Sequence, residues 1–159
     1  ILVIHIMGQV YMSQNLDDPF NMIEEFLNEY KLKENVDAIF VDFHAEATAE
    51  KYAMGHMLDG KVTAVFGTHT HVPTSDFHIL SNGSAYITDL GMCGNYDSVI
   101  GMQKEGIINN MKNKFFINKM EVASDGEATF CAALISVNET TGLADDIKLI
   151  QRGGVLKSI

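Results

Sequence analysis

The stretch that most constrains this chain is residues 67–72, Gly-Thr-His-Thr-His-Val, which places two histidines just past a predicted strand. The apolar run over residues 62–66 precedes it and is typical of a buried strand. In an extended backbone, residues i and i+2 point to the same side, so we expect the imidazoles of His69 and His71 to face one point. Because neutral imidazole is a common metal ligand, this pair indicates a metal site.

A third histidine follows the same pattern upstream. Residues 37–43 form another apolar, strand-like run, and His44 comes directly after it. Ligands of open α/β sheets gather at the carboxyl ends of the strands, so His44, His69 and His71 are predicted to converge on metal there. The alternative is that each histidine is a hydrogen-bonded structural or surface residue, which is the commoner role of a single histidine at a strand end.

The order of the predicted elements indicates a parallel sheet. Strands are predicted over residues 1–11, either ending at Gly8 and Gln9 or continuing past them, and over residues 38–43 and 62–66. Helices are predicted from Asp18 to about residue 30 and over residues 47–58. In the first helix, Asp18 is the expected N-cap and Pro19 the first helical residue. This β-α-β-α-β order predicts parallel strands with right-handed crossovers, so both histidine sites lie at the same edge of one sheet.

The first helix is predicted to bury one apolar stripe. Its members recur at i, i+3, i+4 and i+7 and are Ile23, Phe26, Leu27 and Tyr30.

The second half of the chain is predicted to be mainly strands. Residues 1–72 would carry the metal-ligand loops and residues 73–159 would complete the same single domain, residues 1–159. The Asn-Gly pair at residues 82–83 predicts a hairpin. A short helix is predicted over residues 104–114, and further strands over residues 119–122, 129–137 and 145–151.

Composition excludes several classes of function. The net charge of −10 and the single arginine, Arg152, argue against a nucleic-acid-binding surface, since that needs clustered Lys and Arg. Any phosphate bound here is expected to be neutralised by metal. No apolar run approaches the roughly 18 residues of a membrane span. Cys93 and Cys131 lack zinc-knuckle spacing, and a reduced, cytoplasmic protein is predicted.

Acidic and hydroxyl residues surround the predicted metal site. Glu46 is expected either to orient a metal-bound imidazole or to stabilise the first turn of the following helix. Asp76 is a further candidate for orienting a ligand. Thr68 and Thr70 are candidate substrate-binding residues, and the alternative is that they satisfy local backbone groups.

The remaining polar candidates are predicted to be structural. Asp42 lies inside a buried run and is expected to be a paired acid, whereas His5, His56 and His78 are expected to have ordinary roles. The chain contains no nucleophile-elbow, P-loop or dinucleotide-binding motif.

Several separated segments resemble the bacterial YmdB-like family of calcineurin-type metallophosphoesterases. They are residues 42–51 (DFHAEATAEK), 58–60 (LDG), 65–72 (VFGTHTHV), 88–92 (TDLGM) and 98–102 (SVIGM). The resemblance covers almost the whole chain. It implies an α/β fold, the four-layer α/β/β/α sandwich of that family, with a two-metal centre between its sheets.

The resemblance also implies a function. The chain would be part of a hydrolase, a metal-dependent phosphodiesterase acting on 2′,3′-cyclic nucleotides. Two metal ions are expected, with iron as the leading candidate and Mn, Zn and Mg as alternatives. His44 and His69 would bind one metal and His71 the other. The expected partner is a small phosphodiester, with no membrane and no nucleic-acid duplex, and a homo-oligomer is an open option.

This sequence also departs from the family pattern. The other ligands of the family, an Asp, a bridging Glu and two Asn, precede the part that this chain resembles, as does the histidine that protonates the leaving group. We therefore expect a C-terminal portion of such an enzyme, with its N-terminal part missing, no catalytic acid of its own and an incomplete site. The alternative is a non-catalytic fragment that oligomerises or binds a partner.

Overall fold

The structure is a computed structural model that describes residues 1–114 and 119–159. Two compact units are distinguished by their internal contacts. The first comprises Ile1–Gly91 and Ala133–Leu149, and the second comprises Met92–Ala132 and Ile150–Ile159. The single domain over residues 1–159 stays a prediction. Among the helices of the described residues, none has the length and apolar character needed to cross a bilayer.

The first unit is built on three parallel strands that alternate with two helices. These elements are β1 (Leu2–Met7), α1 (Pro19–Glu29), β2 (Ile39–His44), α2 (Thr48–Leu58) and β3 (Ala64–Thr68). The hairpin strands β4 (His78–Ile79) and β5 (Ala85–Ile87) complete a five-stranded sheet in the order β1-β2-β3-β5-β4. The predicted β-α-β-α-β order and the hairpin are therefore confirmed.

The other elements are one helix and a second sheet. The helix α3 (Lys104–Asn113) lies in the second unit, and β6 (Phe130–Val137) and β7 (Ala144–Arg152) form a two-stranded sheet. The predicted strand over residues 119–122 is wrong, because Val122 forms only a single bridge, to Met102, and has no partner ladder. The predicted α/β class, with a parallel sheet, is confirmed.

One face of the five-stranded sheet packs against the helices. Ile39, Val41 and Phe43 alternate along β2 and are fully buried against Met54 and Leu58 of α2. Because alternate residues of a strand point to opposite faces, this leaves Phe40, Asp42 and His44 on the other side. The chain thus separates its apolar core from its polar strand ends by strand periodicity.

The opposite face is apolar in its middle and polar at the carboxyl ends of the strands. A small cluster joins this face to the second sheet, and its buried members are Ala64, Ala85, Ala144 and Ile147. Phe40 packs against this cluster. Asp42 and His44 follow Phe40 on the same face of β2, beyond the apolar contact. The fold therefore places these two side chains where the strands end.

The start of α1 is as predicted, but its buried stripe is narrower. Asp18 caps the helix by accepting a hydrogen bond from the Phe20 backbone N–H at 2.9 Å, and Pro19 is the first helical residue. Ile23 is buried, whereas Phe26 is 44% exposed and stacks on Tyr30. The prediction that Phe26 is buried is wrong, because α1 lies against β1, the outermost described strand of the sheet, and no described strand lies beyond it.

Candidate metal centre

Two of the three predicted ligand histidines come together at the strand ends. His44 is the last residue of β2, and the parallel register pairs it with Thr68, the residue before His69. The two imidazole rings meet edge to face, with centroids 4.9 Å apart. Nε2 of His44 lies 3.1 Å from Nδ1 of His69. The convergence of His44 and His69 is thus a consequence of the strand register.

The loop that carries His69 and His71 is not extended. β3 ends at Thr68, and φ is 115° at His69 and 65° at His71. The extended backbone assumed in the sequence analysis is therefore wrong, whereas the convergence of the two imidazoles stays a prediction. Positive φ at residues other than glycine costs on the order of 1–3 kcal/mol each, so surrounding contacts must hold this loop.

A buried ion pair supplies one of those contacts. Nζ of Lys51 lies 2.9 Å from Oδ2 of Asp89, and the two side chains are 1% and 0% exposed. The same carboxylate oxygen accepts a hydrogen bond from the backbone N–H of Thr70, between the two loop histidines, at 3.0 Å. Oδ1 accepts another from the Gly91 N–H at 2.9 Å. Asp89 therefore fixes the loop from its buried side.

Gly67 makes room for this arrangement. A Cβ atom at Gly67 would overlap the carbonyl oxygen of Thr88 and come within 2.9 Å of Cδ of Lys51. The Gly67 carbonyl accepts a hydrogen bond from the Leu90 N–H at 2.9 Å. Glycine is thus needed here for close approach of the chain, and it extends β3 to Thr68, two residues past the predicted end at residue 66.

The hydrogen-bond partners of His44 assign its tautomer. Oγ1 of Thr68 lies 2.9 Å from Nδ1 of His44 and 2.7 Å from Oδ1 of Asp42. An ionised carboxylate can only accept a hydrogen bond. The Thr68 hydroxyl therefore donates a hydrogen bond to Asp42 and accepts one from the Nδ1–H of His44. A neutral His44 therefore carries its proton on Nδ1 and a lone pair on Nε2.

His69 has an acidic neighbour at its outer nitrogen. Nε2 of His69 lies 3.1 Å from Oε2 of Glu46. Glu46 lies two residues before α2, so its alternative placement in the first helical turn is wrong, and it contacts an imidazole instead. Nδ1 of His69 and Nε2 of His44 are within hydrogen-bond distance when one of them carries a proton. When a neutral His69 instead carries its proton on Nε2, beside Glu46, two lone pairs face each other across 3.1 Å.

A cation between these nitrogens would remove the repulsion of the two lone pairs. A proton is disfavoured, because burial first, and the neighbouring His69 second, lower the pKa of His44 below its ordinary 6.5. A metal ion fits the spacing. Ligand nitrogens that lie 2.0–2.1 Å from a metal are about 2.8–3.4 Å apart at octahedral or tetrahedral angles. The 3.1 Å separation of Nε2 and Nδ1 falls in this range.

These two nitrogens do not form a closed metal site with other described residues. Within residues 1–114 and 119–159, no group of three or more His, Cys, Asp or Glu side chains is arranged to hold a metal ion. The predicted convergence of three imidazoles is thus not seen there, and His71 lies half-buried further along the loop. Because zinc sites in proteins use three or four protein ligands, two nitrogens need further partners. Metal binding by His44, His69 and His71 stays a prediction.

The two threonines predicted to bind substrate are both engaged within the protein. The Thr68 hydroxyl bridges Asp42 and His44, as described above. The Thr70 hydroxyl accepts a hydrogen bond from the Val72 backbone N–H at 3.3 Å, which is the local role considered as the alternative. Substrate binding by either residue stays a prediction.

Asp76 lies in a different set of contacts. Its carboxylate accepts hydrogen bonds from the Tyr52 hydroxyl at 3.0 Å, from the Thr88 N–H at 3.3 Å and from the Thr88 hydroxyl. Burial would raise the pKa of Asp76, but hydrogen bonds from Thr74, Thr88 and Tyr52 outweigh it and lower that pKa. Asp76 thus ties α2 to the end of β5, and its predicted role in orienting a metal ligand stays a prediction.

The sequence analysis did not identify His5 as part of this network. Nδ1 of His5 lies 2.8 Å from Oδ2 of Asp42, and its ring centroid is 5.9 Å from that of His44. The register pairs His5 directly with Asp42. Alignment of the predicted first residues of β1 and β2, residues 1 and 38, would have revealed this pairing. Asp42 is a paired acid, as predicted. Lys51 and Asp89 were also missed as loop anchors.

Comparison with known proteins gives the relatives of this chain. A protein of Bacillus subtilis (strain 168), named 2′,3′-cyclic-nucleotide 2′-phosphodiesterase, is 42% identical over 150 residues. The match covers 94% of this chain and 55% of that protein. A solved structure of a hypothetical protein from Thermus thermophilus is 37% identical, with a TM-score of 0.87, over 96% of this chain and 57% of its own.

A second solved structure has the same fold. It is a novel phosphatase from Mycoplasma pneumoniae, 35% identical with a TM-score of 0.84, and the match covers 95% of this chain and 53% of that one. The present chain thus spans little more than half the length of each of these three relatives. The model of the YmdB-like protein family matches residues 1–150. By that match, which takes in every residue of the candidate metal centre, the chain belongs to the YmdB-like protein family.

Proposed function

We propose that this chain is part of a metal-dependent phosphodiesterase that hydrolyses 2′,3′-cyclic nucleotides. His44 and His69 would supply two ligands of one metal, and His71 a ligand of a second. The observation that carries the proposal is the pair of imidazole nitrogens that face each other at 3.1 Å, with Thr68 and Glu46 beside their outer nitrogens. The name of the Bacillus subtilis relative supports the substrate class.

The residues of the chain suit this chemistry. A metal ion bound here would act as a Lewis acid toward a phosphoryl oxygen and generate a hydroxide from bound water. Imidazole and oxygen ligands suit Fe, Mn or Zn better than Cu(I), and iron is our leading candidate. Thr68 and Glu46 hold the two imidazoles in place, so few side chains need to reorder when a cation binds. With one arginine in the chain, metal is the expected partner of the phosphate charge.

The chain by itself is expected to have a partial site. Two convergent nitrogens should hold a single ion weakly, and a two-metal centre needs a bridging ligand that the described residues do not place there. We therefore expect little hydrolysis by the isolated chain. Metal-dependent turnover of 2′,3′-cyclic AMP by this chain alone would contradict the partial-site proposal.

The first test is calorimetric titration of the metal-free chain with Mn²⁺, Zn²⁺ and Fe²⁺. We expect at most one ion per chain at the His44 and His69 nitrogens, with binding lost in His69→Ala. His56→Ala is the matched control, because His56 lies exposed on α2 and should leave binding unchanged. Binding that is equal in the native chain and in His69→Ala would overturn the proposal.

The second test concerns the substrate. The metal-loaded chain should bind 2′,3′-cyclic AMP more tightly than 3′,5′-cyclic AMP, and removal of the metal by a chelator should abolish the difference. Equal binding of the two nucleotides, with or without metal, would overturn the substrate class while leaving the metal site open to the first test.

A further inference from the structure

We propose that Asp42 and Thr68 are positioning residues for His44, which keep the proton on Nδ1 and so present the Nε2 lone pair toward His69. The inference rests on the proposed function, because a lone pair held in this position serves a cation. It adds two residues to the site that are not themselves expected to touch the metal.

The strand register creates the geometry. Asp42 and His44 are two residues apart on the same face of β2, and Thr68 is the cross-strand neighbour of His44 in β3. The Thr68 hydroxyl therefore reaches both side chains, at 2.7 Å from Oδ1 of Asp42 and 2.9 Å from Nδ1 of His44. The hydroxyl has one proton, so it can donate a hydrogen bond either to Asp42 or to Nδ1 of His44, but not to both.

The negative charge of Asp42 favours the hydrogen bond from Thr68 to Asp42. Hydrogen bonds to an ionised acceptor are roughly twice as strong as neutral ones, so the Thr68 proton goes to Asp42 rather than to His44. The competing arrangement would have Thr68 donate to Nδ1 and His44 donate from Nε2 to His69. That arrangement would satisfy both rings without a cation, but it would cost Asp42 its hydrogen bond from Thr68.

His5 supports the direction of the Asp42 carboxylate. Oδ2 of Asp42 lies 2.8 Å from Nδ1 of His5, so each carboxylate oxygen has its own partner. The side chains of Asp42 and His5 are 25% and 57% exposed, which leaves this network at the rim rather than in the core. The fold does not depend on it, since the backbone already joins β2 to β3: the Ala45 N–H donates to the Thr68 carbonyl at 3.3 Å.

The test uses substitutions that keep the shape of Thr68 and change only its hydroxyl. Thr68→Val removes the hydroxyl with little change in volume, and Thr68→Ser retains it. Long-range ¹H–¹⁵N NMR correlations of the histidine rings report which nitrogen carries the proton. They are recorded on the metal-free chain, at a pH high enough for the imidazoles to be neutral. We expect Nδ1–H of His44 in the native chain and in Thr68→Ser.

In Thr68→Val the proton of His44 should move to Nε2, because Nδ1 has lost its acceptor and Nε2–H can donate to His69. A native chain with the proton on Nε2 would overturn the inference. So would a Thr68→Val chain in which the proton stays on Nδ1. A packing role for Thr68 would leave the tautomer unchanged, so this readout separates positioning from structure.

Titration with Zn²⁺ supplies the link to the site. Loss of a residue that orients a metal ligand typically lowers affinity 10- to 100-fold, and we expect about tenfold for Thr68→Val and near-native affinity for Thr68→Ser. Thr140→Val is the matched control, since Thr140 is an exposed threonine in the turn between β6 and β7 and has no part in the proposed site.

The two proposals fail in different ways. The expected tautomers without Zn²⁺ binding in any chain would overturn the proposed metal function and support the positioning role. Native Zn²⁺ affinity in Thr68→Val would overturn the positioning role and support the metal site.

Discussion

Two polar pairs hold the loop after β3, and they differ in burial. Lys51 and Asp89 are 1% and 0% exposed, whereas His69 and Glu46 are 34% and 48% exposed. The buried pair acts on the backbone of the loop through the Thr70 N–H. The exposed pair acts on a side chain of the loop, the imidazole of His69. The buried pair thus fixes the backbone of the loop, and the exposed pair positions one of its side chains.

Under the proposed function, this difference in burial separates a structural pair from a pair that would serve metal binding. Every buried side-chain nitrogen or oxygen of the described residues has a hydrogen-bond partner, and Asp89 has three within the protein. A fully satisfied buried network of this kind rigidifies a single conformation. The imidazoles of His44 and His69 instead meet through a contact whose donor depends on the tautomer of each ring. The buried pair therefore has one fixed arrangement of protons, whereas the arrangement at the imidazole pair can change.

The largest effect is expected from breaking the buried pair. Lys51→Met leaves the Asp89 carboxylate buried without its cation, which should lower the free energy of unfolding by about 3–5 kcal/mol. Urea denaturation of the two chains measures this difference. The double variant Lys51→Met/Asp89→Asn removes the unpaired charge and keeps an acceptor for the Thr70 N–H, so it should lose less than Lys51→Met.

An exposed lysine pair provides the control. Nζ of Lys33 lies 3.0 Å from Asp37, whose side chain is 86% exposed. Lys33→Met should lower the free energy of unfolding far less than Lys51→Met, because exposed ion pairs contribute little. Equal losses in Lys33→Met and Lys51→Met would show that burial does not distinguish the two kinds of pair.

Gly67→Ala is expected to lower the free energy of unfolding somewhat less than Lys51→Met does. The added Cβ would overlap the Thr88 carbonyl and crowd Lys51, so the strand end must shift, at a cost of about 3 kcal/mol, the upper end for overpacking. Gly94→Ala is the matched control, because the nearest atoms its Cβ would meet belong to the Met92 side chain, at 3.6–3.8 Å, which is ordinary contact. Denaturation midpoints that fall equally in both variants would contradict a specific requirement for glycine at Gly67.

Local signals in the sequence predicted most of the sheet and its helices. Asp18 and Pro19 marked the start of α1, and the Asn-Gly pair at residues 82–83 marked the hairpin, because caps and tight turns depend on neighbouring residues. His44 and His69 were placed at one sheet edge because parallel strands bring their carboxyl ends together. These features depend on short-range chemistry or on topology that alternating elements determine.

Contacts between distant residues decided what the sequence did not reveal. The positive φ values of His69 and His71 belong to a loop held by Asp89, about twenty positions later, and that anchor was not visible in the spacing of the histidines. His5 joined the site through strand register, which a one-residue slip would have changed. Phe26 is exposed because of what lies beyond β1, and helical periodicity carries no information about that.

The smallest stability effect is expected at the exposed pair, where affinity should respond instead. Glu46→Ala removes the carboxylate that lies 3.1 Å from Nε2 of His69, yet both side chains are partly solvated, so the free energy of unfolding should fall by less than about 1 kcal/mol. Zn²⁺ affinity should fall about tenfold, because the ring loses the group that orients it. Glu46→Gln keeps a neutral oxygen acceptor, so its Zn²⁺ affinity should lie between those of the native chain and Glu46→Ala. Denaturation and calorimetry on the same samples measure both quantities, and a stability loss as large as that of Lys51→Met, with unchanged affinity, would reverse the assignment of tasks to the two pairs.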